Sequence, residues 1–141
     1  MNSDEEYNYN FSEEHILIGN YEVESAYKTT KNLLMEKPNI SAIFAISDAM
    51  AIGVAKAIID SGLKIGQDIS IIGFDGMNIS EFYNPSITTV KQPKELMAVM
   101  SINHLFDLIN KKEGHKHILL DTELVKRESS KEVKIVENIL A

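Results

Sequence analysis

Three polar or aromatic sites in this sequence each follow a short apolar run, and their side chains are of the kinds that hold a small hydroxylated molecule. Asp75 closes the run Ile69 to Phe74, Ser47 and Asp48 close Ile43 to Ile46, and Asn20-Tyr21 come just after Ile16-Leu17-Ile18. A carboxylate such as Asp75 offers two acceptor oxygens, which suits a vicinal diol, while the Ser47 hydroxyl donates or accepts and Tyr21 presents a flat apolar face. Ligands of open α/β sheets bind outside the carboxyl ends of the strands. Asp75, Tyr21, Ser47 and Asp48 therefore form a candidate ligand site for a small polyhydroxylated or ring-shaped molecule. Each also has a plainer use. Asp48 can simply cap the helix that follows it, Asp75 before Gly76 fits turn chemistry, and Tyr21 fits a core.

Other chemistry is poorly represented. The His115 and His117 pair lies in a Lys-rich turn and reads as solvent-facing rather than as a metal site. There is no nucleophile–base pair, no phosphate-cradling glycine loop and no zinc motif, and Gly73-Phe74-Asp75-Gly76 lacks the spacing of a dinucleotide fingerprint. Neither catalysis nor a bound metal or cofactor is expected.

The elements that must position the candidate site follow from the hydrophobic pattern. Ile43 to Ile46 is a strand, Ala49 to Ser61 an unbroken helix former stopped by Gly62, and Ile69 to Phe74 a second strand. Strand, capped helix and strand make a βαβ unit, with Ser47 or Asp48 at the N-cap and Gly62 at C′. Both strands are apolar without strict alternation, as when helices cover both faces of a parallel sheet. Ahead of this unit the pattern predicts a buried strand at Ile16 to Ile18 and a helix from Glu22, ended by Pro38-Asn39. After it come a loop over 76–85, an extended run from Ile87 to Val90, and a helix from Lys94 to about Lys112. Pro93 suits the first turn of that helix. Further strands are predicted at Ile118 to Leu120 and Leu124-Val125, then a short helix in the tail, 131–141. Residues 1–14 have no period and read as irregular.

The chain of 141 residues, 44% hydrophobic, suffices for one ordinary domain, and its net charge of −7 argues against a nucleic-acid surface on these residues. With no cysteine, disulfides and thiolate metal sites are excluded. No apolar run reaches the roughly 18 residues of a membrane helix, and the acidic start is unlike a signal peptide. A cytoplasmic location, with no membrane contact, is the expectation.

At this point the residues resemble a known family. Ser41 to Gly53 (SAIFAISDAMAIG) resembles the stretch leading into the dimer helix of lactose-repressor-type (LacI/GalR) transcriptional regulators. Ser61 to Asp75 is similar to the segment after it, Pro85 to Pro93 to the run that crosses the hinge, and Glu123 to Ser130 to the closing motif. The resemblance covers Gly19 to about Ser130. It implies a type I periplasmic-binding-protein-like fold, in which two α/β lobes hinge around an effector. The position of Asp75 then holds sugar or nucleoside hydroxyls, that of Tyr21 stacks on the ligand, and that of Ser47 makes a polar contact. Ser47 is often asparagine in sugar-binding members, and Gly76 stands where a second acidic residue is common.

The same resemblance implies an incomplete effector-binding domain over 15–130. The DNA-binding helix-turn-helix, the hinge helix and nearly all of the N-terminal lobe lie outside the sequence, and residues 94–120 belong to the absent lobe. Any contact with DNA would run through that missing portion. A homodimer is expected, since Ile52, Ala55 and Ile59 form a second apolar stripe beyond the one a single packed face needs. Lys56 and Tyr83 are placed with that interface. The expected function is effector sensing for a bacterial transcriptional regulator, with a small sugar-like or nucleoside-like ligand. The alternative is a solute-binding protein for sugar transport, which shares the fold.

Overall fold

A computed structural model describes residues 15–36, 39–110, 114 and 117–131. The expected irregular start, the turn around His115 and the helix in the tail lie outside the described residues. Eight elements follow one another: α1 (Val23–Met35), β1 (Ala42–Phe44), α2 (Asp48–Asp60), β2 (Ser70–Asp75), α3 (Asn78–Phe82), β3 (Thr88–Lys91), α4 (Lys94–Ile109) and β4 (Glu123–Val125). The strands form one sheet in the order β1-β2-β3-β4. β1, β2 and β3 are parallel, and β4 runs antiparallel to β3. Among the described residues no helix is long and apolar enough to cross a membrane.

The central βαβ unit forms as its sequence dictates. The Ser47 hydroxyl accepts a hydrogen bond from the Met50 amide at 3.2 Å, an N-cap that satisfies one orphan donor of α2. At the other end Gly62 takes a left-handed φ of +76°, which costs a residue without Cβ nothing. Met50, Val54, Ala57 and Ile58 of α2 are buried, as their spacing predicts, and Ile58, Ile71 and Ile87 are wholly removed from water. Full burial of such side chains stabilises by roughly 1.5–3 kcal/mol each. α1 lies along α2 so closely that a Cβ at Gly53 would stand 2.2 Å from the Val23 carbonyl oxygen. Only glycine permits that approach.

Several expectations are corrected. Ile16 to Ile18 is neither a strand nor buried; its side chains are exposed and no sheet partner stands beside it. Ile118 to Leu120 likewise forms no strand, and Leu119 is almost wholly in water. Each run has the composition of a strand without a neighbour to bond, and a strand needs both. The loop over 76–85 contains α3, capped by Tyr83, whose amide donates to the Ile79 carbonyl. Among the described residues helices cover one face of the sheet only. Ile71 and Gly73 of β2 face α2, where Gly73 lies against Ala51, so Ile72 and Phe74 point to the opposite face, half-exposed. Ala55 is not available to a partner. It is 0% exposed, within the hydrophobic core.

The helix α4 has no buried residue, and Leu96, Val99, Ile102, Leu105, Phe106 and Ile109 are all exposed. Its apolar residues thus have no surface to meet among the described residues.

Candidate functional site

The parallel strands deliver their carboxyl ends to one rim, and the structure treats the four candidate residues there in two ways. Asp75 ends β2 in the left-handed region, with φ 106°. Its Oδ1 accepts a hydrogen bond from Gln92 Nε2 at 2.7 Å. The β2–β3 register pairs Asp75 with Lys91, which sets Gln92 one residue beyond on the adjacent strand. Tyr21 is 77% exposed and so is no part of a core. Asn20 and Tyr21 also lie at positive φ, 50° and 59°. Among the described residues Asn20, Tyr21 and Asp75 are the three non-glycine residues at positive φ. Such conformations cost of order 1–3 kcal/mol and cluster at binding sites.

Ser47 is half-buried and occupied by its cap to Met50. Asp48 is used differently from the expected ligand contact. It is 0% exposed, and both carboxylate oxygens are engaged within the fold. Oδ1 accepts from the Thr89 hydroxyl at 2.6 Å, and Oδ2 accepts from the Met77 amide at 2.5 Å. Thr89 Oγ1 in turn accepts from the Gly76 amide at 3.2 Å. The two amides that follow Asp75 are therefore clamped, one by Thr89 and one by Asp48. A buried carboxylate is tolerable only when hydrogen-bonded in this way. Asp48 positions the turn that carries Asp75.

Sequence reasoning missed Gln92 and the role of Thr89. The signal available was register: once β2 and β3 are parallel neighbours, residues just after Val90 must flank Asp75. At the opposite strand ends the closing run is riveted to the sheet. Ser129 Oγ donates to the Ile71 carbonyl at 2.6 Å and accepts from the Thr88 amide at 2.8 Å, and the Arg127 guanidinium donates to Ser80 Oγ and the Ile87 carbonyl.

The expected interface residues are dispersed by burial. Lys56 and Ile59 are exposed, Ile52 and Tyr83 half-buried, and Ala55 excluded. Positions 52, 56 and 59 are spaced by four and three, so they share a face of α2. Lys56 Nζ pairs with Asp60 at 2.9 Å and lies 5.8 Å from the centre of the Tyr27 ring. Burial pushes the Tyr83 phenol above its ordinary pKa, with Lys56 pulling the other way. His117 is exposed, and the described residues contain no group of three or more side chains able to hold a metal ion.

Comparison with known proteins identifies the class. Residues 3–130 match the periplasmic binding protein-like domain, and the chain belongs to that family. Within it the chain corresponds to the effector-binding portion of lactose-repressor-type regulators. It is 52% identical over 124 residues to the HTH-type transcriptional regulator MalR of Clostridium butyricum, covering 88% of this chain and 37% of that protein. The lac repressor dimer bound to operator and the anti-inducer ONPF superposes with a TM-score of 0.74 at 34% identity, covering 78% of this chain and 38% of that one. A LacI family transcriptional regulator from Arthrobacter sp. FB24, in complex with lactose, gives a TM-score of 0.78 at 26% identity, covering 91% of this chain and 48% of that one. The chain spans a little over a third of the length of the curated relatives it matches.

Proposed function

We propose that this chain is the ligand-sensing lobe of a bacterial transcriptional regulator. It takes a small sugar-like or nucleoside-like effector at the carboxyl rim of its sheet and passes the event to a DNA-binding portion outside these residues. The observation that carries the reading is the coincidence of strain and position. Among the described residues the non-glycine residues held at positive φ are Asp75, which ends β2, and Asn20 and Tyr21, which line one cavity with Ile46 and Met50 just beyond β1. Asp75 accepts ligand hydroxyls, Gln92 fixes its carboxylate, Tyr21 covers the ligand face, and Ser47 adds a polar contact when its capping bond is shared. Asp48 and Thr89 hold the turn. The relatives being HTH-type regulators favours this reading over a transport receptor.

The exposed face of α2, with Lys56, Ile59 and the flanking Ile52 and Tyr83, is the proposed contact between two copies. The lac repressor, which superposes on this chain, is described as a dimer.

The test replaces the matched 124 residues of Clostridium butyricum MalR with this chain. The chimera is then titrated calorimetrically with a panel of mono- and disaccharides and purine nucleosides. Saturable heat with at least one of them, weakened at least tenfold by Asp75→Asn, is the expected result. A folded chimera that binds none of the panel overturns the proposal.

A further inference from the structure

Asp75 is the sole aspartate in the sequence followed by glycine, and no asparagine precedes a glycine either. Such a pair carries an electrophile and a nucleophile side by side. Bonding the Gly76 amide nitrogen to Asp75 Cγ closes a five-membered ring, and glycine has no Cβ to obstruct the approach. Both residues are half-exposed, so water reaches them.

The fold demands this reactive pair. Gly76 lies at a φ of +67°, and a Cβ there would stand 2.6 Å from Lys91 Cγ and 2.9 Å from Lys91 Cα. Any other residue would have to displace the backbone of β3, so the position cannot carry a side chain that slows the attack. Asp75 itself, at φ 106°, is held in a conformation that a residue with a Cβ adopts at a cost.

The same structure restrains both reacting groups. Gln92 Nε2 donates to Asp75 Oδ1 at 2.7 Å, and the Gly76 amide donates to Thr89 Oγ1 at 3.2 Å. To close the ring the carboxyl must turn from Gln92 and the nitrogen must leave Thr89. Thr89 is fixed in turn by its bond to Asp48, which also holds the Met77 amide.

We propose that Asp75-Gly76 is a site of covalent self-modification, isomerising through a succinimide to isoaspartate, and that Thr89 and Gln92 hold it in the aspartyl form. The Gly76 nitrogen bonds to Asp75 Cγ and gives up its proton, and one carboxyl oxygen departs as water. Water then opens the ring. Attack at the main-chain carbonyl of Asp75 breaks its bond to the Gly76 nitrogen and leaves the chain running through Cγ. Attack at Cγ restores aspartate. One water leaves and one returns, so mass and oxidation state are unchanged. The isoaspartyl link lengthens the main chain by one carbon and puts the free carboxylate directly on Cα, away from its place beside Gln92. This chemistry stands whether or not Asp75 touches an effector.

The full chain is aged at neutral pH, folded and in urea, then digested with trypsin. Electron-transfer fragmentation distinguishes isoaspartate from aspartate of equal mass. Asp68 falls in the same tryptic peptide, between Lys64 and Lys91, and precedes Ile69, so it is the internal standard. Isoaspartate is expected to accumulate at Asp75 ahead of Asp68, and more slowly in the folded chain than in urea. Gln92→Leu and Thr89→Val are each expected to speed it in the folded chain by roughly two- to tenfold, the worth of one hydrogen bond. Ile58→Val loosens the core without touching the pair and is expected to leave the rate near the parent's. No excess at Asp75 over Asp68 in urea overturns the proposal. Equal rates in folded and unfolded chain overturn it too, as does Ile58→Val accelerating the change as much as Gln92→Leu.

Discussion

The Thr89 hydroxyl donates to Asp48 Oδ1 at 2.6 Å across 41 residues of sequence, with both side chains out of water. This bond joins the first turn of α2 to the middle of β3, and through Met77 and Gly76 it also fixes the turn after Asp75.

Removing either partner leaves a buried polar group unpaired. Thr89→Val and Asp48→Ala are each expected to lower unfolding stability by about 1–3 kcal/mol, since each also strands one backbone amide, Gly76 or Met77 respectively. A double-mutant cycle in urea should show coupling of roughly 0.5–3 kcal/mol. Additive losses would mean that the bond does not tie the two elements together.

Asp75 and Gln92 should separate by magnitude. In the MalR chimera Asp75→Asn keeps a residue that tolerates positive φ but loses charge-assisted bonds of about 1.5–3 kcal/mol each. Effector binding should weaken at least tenfold. Gln92→Leu only releases the carboxylate, so a smaller loss is expected in the same titration. Equal losses would make Gln92 a direct ligand contact.

The partner face of α2 is tested at Ile59, because Ile52 also packs against the core and Ala55 is inside it. Ile59→Glu is expected to shift the chain towards monomer in analytical ultracentrifugation with its far-UV spectrum unchanged. Sedimentation like the parent's at equal concentration counts against the interface.

Glu128 gives the pH dependence. The amide and then the hydroxyl of Ser86 hold its carboxyl below the ordinary glutamate value. A folded pKa that is depressed adds stability above the unfolded value, and that stability fades as pH falls through the folded one. Glu128→Gln should therefore be less stable than the parent at neutral pH, with the two urea midpoints converging in acid. Because Glu128 is exposed the gap is expected to be small. A gap that widens in acid has the wrong sign.

How much was legible in the sequence depended on whether the determinant was local. Ser47, Gly62 and the two unbroken apolar runs carry their own capping and burial logic, so β1, α2 and β2 were readable to within a residue or two. The place of Asp75 at the end of β2 was readable because the apolar run before it stops there. Ile16 to Ile18 and Ile118 to Leu120 were misread, because strand-forming composition says nothing of whether a bonding neighbour is present. Ala55 was assigned to a partner because the stripe count could not foresee that the hydrophobic core extends round α2 to that position. Asp48 and Gln92 were decided by β3, which lies far along the chain, and only the register between strands reveals their bonds.

The bare side of α4 leaves a thermodynamic signature. Unfolding raises heat capacity chiefly by wetting apolar surface, by about 12–15 cal/mol/K per residue in ordinary domains. Here Leu96, Val99, Ile102, Leu105, Phe106 and Ile109 are wet before melting begins. Calorimetry of the dilute chain should return a smaller increment per residue, and hence a shallow stability curve with little tendency to cold denaturation. Whatever covers that helix will steepen the curve as it binds.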